Sequence, residues 1–168
     1  CAQIICSDKT GTLTQNKMTV VDHIGETELL STAMALCNDA HLGNGDAVGE
    51  ATEAALVNFA FKNGLNKTEL DEKYPRVAEA PFDSSRKMMS TLHFIGENKV
   101  IQYTKGAPDV ILSRCNRYIS PVDGKTKPLT DDVRQAILAH NKAMADKALR
   151  VLAAAFTAYS ELPSFNAP

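Results

Sequence analysis

Apolar residues along this chain fall into stretches of two different periods. Residues 28–38 carry Leu29, Leu30, Ala33, Met34, Leu36 and Cys37 at helical spacing, and residues 50–62 do the same with Ala54, Ala55, Leu56, Phe59 and Ala60. A third, short and charged helix is predicted over 66–73, stopped by Tyr74-Pro75. Between the first two helices, residues 41–49 hold three glycines and an Asn, the composition of a loop. After Pro75 the period shortens. Residues 76–80 and 87–95 read as strands, and Gly96-Glu97-Asn98 links the second of them to a strand over 99–105, which is a hairpin signature. Pro108 suits the first turn of a helix running to about 115, Asp123-Gly124 marks a turn, and Thr130 is placed to cap a helix to about 147. A strand over 149–159 closes the pattern, and a β-branched run over 18–24 is predicted as a further strand near the start. Strands in antiparallel runs with helices grouped between them predict an α+β fold, an antiparallel sheet flanked by helices.

Composition narrows the function classes. The chain has 168 residues with hydrophobic and charged fractions of 44% and 23%, ordinary for a globular domain. A net charge of −2 argues against nucleic acid as the main partner. No apolar run approaches the roughly 20 residues that span a bilayer, and no leader peptide is visible. The cysteines at 1, 6, 37 and 115 show no paired metal spacing and are expected as reduced thiols. His23, His41, His93 and His140 share no ligand spacing and are expected to be structural or exposed.

The chemistry concentrates first at Ile4-Ile5-Cys6-Ser7-Asp8-Lys9-Thr10-Gly11-Thr12-Leu13-Thr14. The apolar run reads as a buried strand that stops at a carboxylate, the place where open α/β sheets put ligands. A carboxylate there can attack a phosphoryl group, Lys9 can neutralise charge on the transferring oxygens, and hydroxyl and amide donors can hold them. Asp, Thr and Gly are also ordinary turn residues, so the four residues Asp8 to Gly11 alone leave a polar turn open.

The unbroken string Ser7-Asp8-Lys9-Thr10-Gly11-Thr12-Leu13-Thr14 resembles the phosphorylation signature of P-type ATPases, ion pumps that pass through an aspartyl phosphate. The resemblance implies that Asp8 is the phosphate acceptor, with Lys9 and Thr10 beside it and Mg²⁺ at Asp8 and Thr10. It also implies a haloacid-dehalogenase-like phosphorylation domain whose first strand carries Asp8. Phosphatases of that superfamily have a second Asp where Thr10 stands. Loss of such an acid/base costs roughly 100- to 10,000-fold in hydrolysis, which suits a long-lived phosphoenzyme.

Four further strings extend the resemblance over essentially the whole chain. Gly49-Glu50-Ala51-Thr52-Glu53-Ala54-Ala55-Leu56 looks like the acidic helix start of the calcium-pump branch, where the second Glu, here Glu53, approaches the adenine amino group; by itself it is equally a good helix N-terminus. In Pro81-Phe82-Asp83-Ser84-Ser85-Arg86-Lys87-Met88 the resemblance makes Phe82 the ring that stacks on adenine and Lys87 a phosphate ligand. Ser84 departs from the additional Arg that animal-type calcium pumps often carry there. Lys105-Gly106-Ala107-Pro108 matches the family's Lys-Gly-Ala, with Lys105 at a pocket rim and Gly106 letting a ligand approach the backbone. Arg150-Val151-Leu152-Ala153 resembles the Arg-x-Leu-Ala strand whose Arg contacts phosphates.

The expectation is therefore the ATP-binding domain of a cation pump, most similar to calcium pumps. Residues 1–18 would begin the phosphorylation domain, 19–160 form the nucleotide-binding domain, and 161–168 lead out of it. Its partners would be ATP and the remainder of its own chain, with the domain itself monomeric, cytoplasmic and soluble and the intact protein a multi-pass membrane protein. The rival readings are a dehalogenase-type phosphatase, which needs an Asp at position 10, and a non-catalytic nucleotide-binding or scaffold module.

Overall fold

The computed structural model describes residues 17–43, 45–96 and 99–163. The Asp8 motif, the strand expected to carry it and residues 164–168 lie outside these. Among the described residues thirteen elements follow in order: α1 (Thr27–Leu36), β1 (His41–Leu42), β2 (Ala47–Val48), α2 (Ala51–Lys62), α3 (Lys67–Lys73), β3 (Arg76–Asp83), β4 (Met88–Phe94), β5 (Val100–Gly106), α4 (Pro108–Arg114), β6 (Arg117–Ile119), β7 (Thr126–Pro128), α5 (Asp131–Ala145) and β8 (Ala153–Tyr159). The predicted α+β class holds. The main sheet has four antiparallel strands in the order β3-β4-β5-β8.

One face of that sheet is covered by α1, α2 and α3. Met89, Ile101 and Tyr103 pack there against Ala33, Leu36, Cys37, Ala60 and Leu70. The other face carries a line of polar contacts. Ser90 and Thr104 share a hydrogen bond of 2.8 Å, Gln102 donates to Thr104 at 3.2 Å, and the Tyr159 hydroxyl donates to Gln102 at 3.0 Å. β4 lies between neighbours on both sides and is buried from Met88 to His93, its polar Ser90, Thr91 and His93 included.

The end of α1 shows how tertiary structure completes a helix. The last turn contains no basic residue, so the carbonyls left without a partner in the helix need donors from elsewhere. Lys67, almost wholly buried, donates to the Ala35 carbonyl at 2.9 Å, and Arg76 donates to that of Leu36 at 3.2 Å. Both cations also complement the negative end of the helix dipole. α3 and the start of β3 are thereby tied to α1.

Several boundaries differ from those read in the sequence. Residues 18–24 form no strand: Val21 and Ile24 are exposed, and no described strand pairs with this segment. β-branched residues favour a strand only where a neighbour supplies the ladder. The 41–49 stretch is not all loop, because His41–Leu42 pairs with Ala47–Val48. A second small hairpin, β6-β7, encloses the Asp123-Gly124 turn. The 149–159 strand begins only at Ala153, leaving Arg150 outside the sheet. Thr130 occupies the cap position of α5, but its side chain makes no capping bond. α5 is instead fastened by Arg134, which donates to the Leu112 and Cys115 carbonyls at 2.6 and 3.2 Å and so caps α4.

Candidate functional site

Helix α2 begins at the end of β5 that carries Lys105. Glu50 caps it, accepting from the Thr52 and Glu53 amides at 2.8 and 3.3 Å. A carboxylate at this place satisfies two orphan donors and complements the dipole. It also sets the first turn so that Glu53 faces the sheet. Glu53 Oε1 meets the Lys105 ammonium at 2.6 Å, and Glu53 Oε2 accepts from the Asp39 amide at 3.2 Å. Only 8% of the Lys105 side chain and 19% of the Glu53 side chain are exposed. Lys105 was expected at a pocket rim; it is a nearly dry cation with a dedicated partner. Its neighbour Cys37 lies deeper, its thiol pushed above the usual range chiefly by burial. One residue before Glu53, the Thr52 hydroxyl accepts from Arg150 Nη1 at 2.9 Å. Glu53, Lys105 and Arg150 therefore converge on the start of α2, although 97 residues separate the first from the last.

Phe82 and Lys87 reach the same end of the sheet from the β3–β4 side. Asp83 pairs with Met88, and the register slips between Ala80 and Asp83, so Phe82 sits in a bulge at the end of β3. The residue is 63% exposed, high for a large aromatic. The Asp83 carboxylate organises the turn, accepting from the Ser85 and Arg86 amides at 2.8 and 2.9 Å and from the Ser85 hydroxyl. These bonds, led by the Ser85 hydroxyl, hold it below the usual carboxylate range. Lys87 closes the turn in the left-handed region, φ 55°, with its side chain in solvent. Two strand spacings, about 10 Å, separate β3 from β5.

Gly106 also meets a steric demand. It was expected to let a ligand approach the backbone. A Cβ at this position would strike the Lys87 carbonyl and lie 2.7 and 2.9 Å from Cβ and Cα of Met88. The Ala107 amide donates to that same carbonyl at 3.0 Å. The glycine is demanded by close strand packing, which also places the Lys87 turn beside Lys105.

Over residues 26–167 the chain matches the family model described as P-type ATPase, cytoplasmic domain N. This chain belongs to that family. The chain is 44% identical over 173 residues to calcium-transporting ATPase 1 of Lactococcus lactis, covering 94% of this chain and 19% of that protein. Against a calcium-transporting ATPase of Listeria monocytogenes it is 44% identical over 169 residues, 89% of this chain and 19% of that protein. The sodium/potassium-transporting ATPase subunit alpha-1 of Oreochromis mossambicus is 35% identical over 167 residues, 79% of this chain and 16% of that protein. The chain thus spans about a fifth of the length of the first two relatives. Membership supports the pump reading over the phosphatase one.

Asp8, Lys9 and Thr10, the positions expected to take the phosphoryl group and Mg²⁺, lie outside the described residues. Among the described residues no three His, Cys, Asp or Glu side chains converge as a metal site. Nor is any described helix long and apolar enough to cross a membrane. Two surface depressions are lined by neither Phe82, Lys87 nor Lys105. One, of about 280 Å³, is lined by residues including Lys17, Asp46 and Asn58. The other, of about 300 Å³, is lined by residues including Asn38, His41, Lys67 and Arg76. The sequence reading assigned no role to Asn38, Asp39 or Thr52, all of which position the named residues. Asn38 and Asp39 follow directly on an apolar helical stretch and register in sequence only as its end.

Proposed function

We propose that this N domain binds ATP across the end of the sheet, with adenine on Phe82 and beside Glu53 and Lys105. Lys87 and Arg150 then face the phosphates. The observation that carries the reading is the buried Glu53–Lys105 pair at the same end of the sheet as an exposed aromatic residue, Phe82. Burying an ion pair is weak support for stability, and leaving Phe82 in solvent forgoes the gain of burying its ring. Both features gain a purpose if a flat heterocycle covers the ring and the paired charges meet its polar edge. Stacking of a base on one aromatic ring is worth roughly 1–3 kcal/mol.

In the whole protein the Asp8 carboxylate attacks the γ-phosphorus of ATP, forming the acyl phosphate as the bond to the β,γ-bridging oxygen breaks and ADP leaves, with Lys9 offsetting the charge of the transferring oxygens. Mg²⁺ belongs to this proposal as the counter-ion at Asp8 and Thr10. Formation and loss of the aspartyl phosphate drive cation transport by a multi-pass membrane protein with this domain on its cytoplasmic side. Ca²⁺ is the ion we assign, since two of the relatives are named calcium-transporting.

Titration of the chain with ATP, followed by amide chemical shifts, tests the pocket. Phe82→Ala should weaken binding about 5- to 150-fold, whereas Asp8→Asn should leave it unchanged. Equal weakening by both substitutions would refute the assignment.

A further inference from the structure

Asn38 stands where α1 ends, with its residue surface fully buried. Both halves of its carboxamide are engaged. Nδ2 donates to the Met34 carbonyl at 3.1 Å and to the Glu53 carbonyl at 3.0 Å, and Oδ1 accepts from the Ala40 amide at 2.8 Å. The first bond closes α1, the second pins the first turn of α2, and the third bends the chain between them. That bend carries the Asp39 amide to within 3.2 Å of Glu53 Oε2. Gly49 completes the interlock, because a Cβ there would lie 2.7 Å from the Ala40 Cβ. Glu53 is thus held at its main chain by Asn38 and at its side chain by the next residue, leaving Oε1 for Lys105.

Few side chains suit this position. The site offers two carbonyl acceptors and one amide donor within reach of a short planar group, which a carboxamide answers with two donors and one acceptor. An Asp would set a carboxylate oxygen against two carbonyls, and an Ala would leave buried polar groups unpaired. We propose that Asn38 is a positioning residue for Glu53, and that through Glu53 it governs recognition of the base and not of the phosphates. The functional half of this inference rests on the nucleotide reading above. A carboxylate oxygen accepts from the exocyclic amino group of adenine, while guanine presents a carbonyl at the corresponding place.

The test compares ATP, GTP and inorganic tripolyphosphate binding to the full chain and to Asn38→Asp, with unfolding curves to confirm that the variant folds. Asn38→Asp should weaken ATP about tenfold, the worth of a hydrogen bond to a charged group, shrink the preference over GTP and leave tripolyphosphate unchanged. In a Glu53→Gln background it should add no further loss of ATP binding. Equal loss for all three ligands, or additive losses in the double variant, would overturn the proposal. A second arm needs neither ligand nor the Asn38 variant. Glu53→Gln should move the Asp39 amide and Asn38 side-chain amide resonances, and unmoved resonances would overturn the coupling. If the wild-type chain binds no ATP, the nucleotide reading fails while these resonances still decide whether Asn38 positions Glu53.

Discussion

Replacing Glu53 by Gln keeps the shape of the side chain and removes its charge, leaving the Lys105 ammonium with 8% of its side chain in contact with water. Breaking a fully buried pair from one side costs about 3–5 kcal/mol. Glu53 is 19% exposed and a Gln oxygen still accepts one bond, so about 2–3 kcal/mol is the appropriate expectation. The reverse change, Lys105→Met, takes the charge out of the drier position and leaves Glu53 with the Asp39 amide and some water. That should cost only about 1–2 kcal/mol. The double variant should lie within about 1 kcal/mol of wild type, because an apolar side chain then fills the place of a charge. For a chain of this size about 1 kcal/mol moves the thermal midpoint by roughly 2–4 °C. The order of midpoints in thermal unfolding followed by circular dichroism is therefore wild type, double variant, Lys105→Met, Glu53→Gln. A double variant as unstable as the two singles summed would show that the charges do not stabilise each other, and a Lys105→Met variant below Glu53→Gln would refute the ranking by burial.

Two further outcomes follow from the packing. Gly106→Ala should lower stability by about 1–3 kcal/mol through overpacking against Lys87 and Met88; an unchanged midpoint with lost nucleotide binding would instead return Gly106 to a ligand role. His93 is wholly buried between the Tyr74 carbonyl at 2.8 Å and the Thr91 hydroxyl at 2.9 Å, and burial holds its imidazole below the ordinary range. The unfolded chain then binds a proton that the folded one refuses, so stability contributed by neutral His93 is present above pH ~6.5 and is lost as pH falls from there towards the folded value. Urea denaturation between pH 7.5 and 5 (roughly spanning that window) should show a positive slope of stability with pH that flattens in His93→Gln; an equal slope in the variant would assign the effect elsewhere.

The helices and the central hairpin were legible because their signals are local. α1 and α2 repeat apolar residues at helical spacing, α3 stops at Tyr74-Pro75, and Gly96 turns β4 into β5 with Phe94 opposite Val100. What sequence could not convey were partnerships made across the fold. The 18–24 run has strand composition without a strand beside it, and the two short hairpins depend on pairings of two or three residues. The site shows the same division. Glu53, Phe82, Lys87, Lys105 and Arg150 were nameable from motifs, but the roles of Asn38, Asp39 and Thr52 come from contacts across long stretches of sequence. Gly106 shows a motif residue whose first explanation was chemical and whose visible cause is steric.

The measurement that bears most directly on the central claim is an amide chemical-shift map of the chain during ATP titration. Saturable changes should centre on Glu53, Phe82, Lys87, Lys105 and Gly106, with Arg150 responding more to ATP than to adenosine. Changes gathered at the depression around Lys67 and Arg76, or at the one around Lys17 and Asp46, would place the ligand elsewhere and contradict the account, as would a map that does not move.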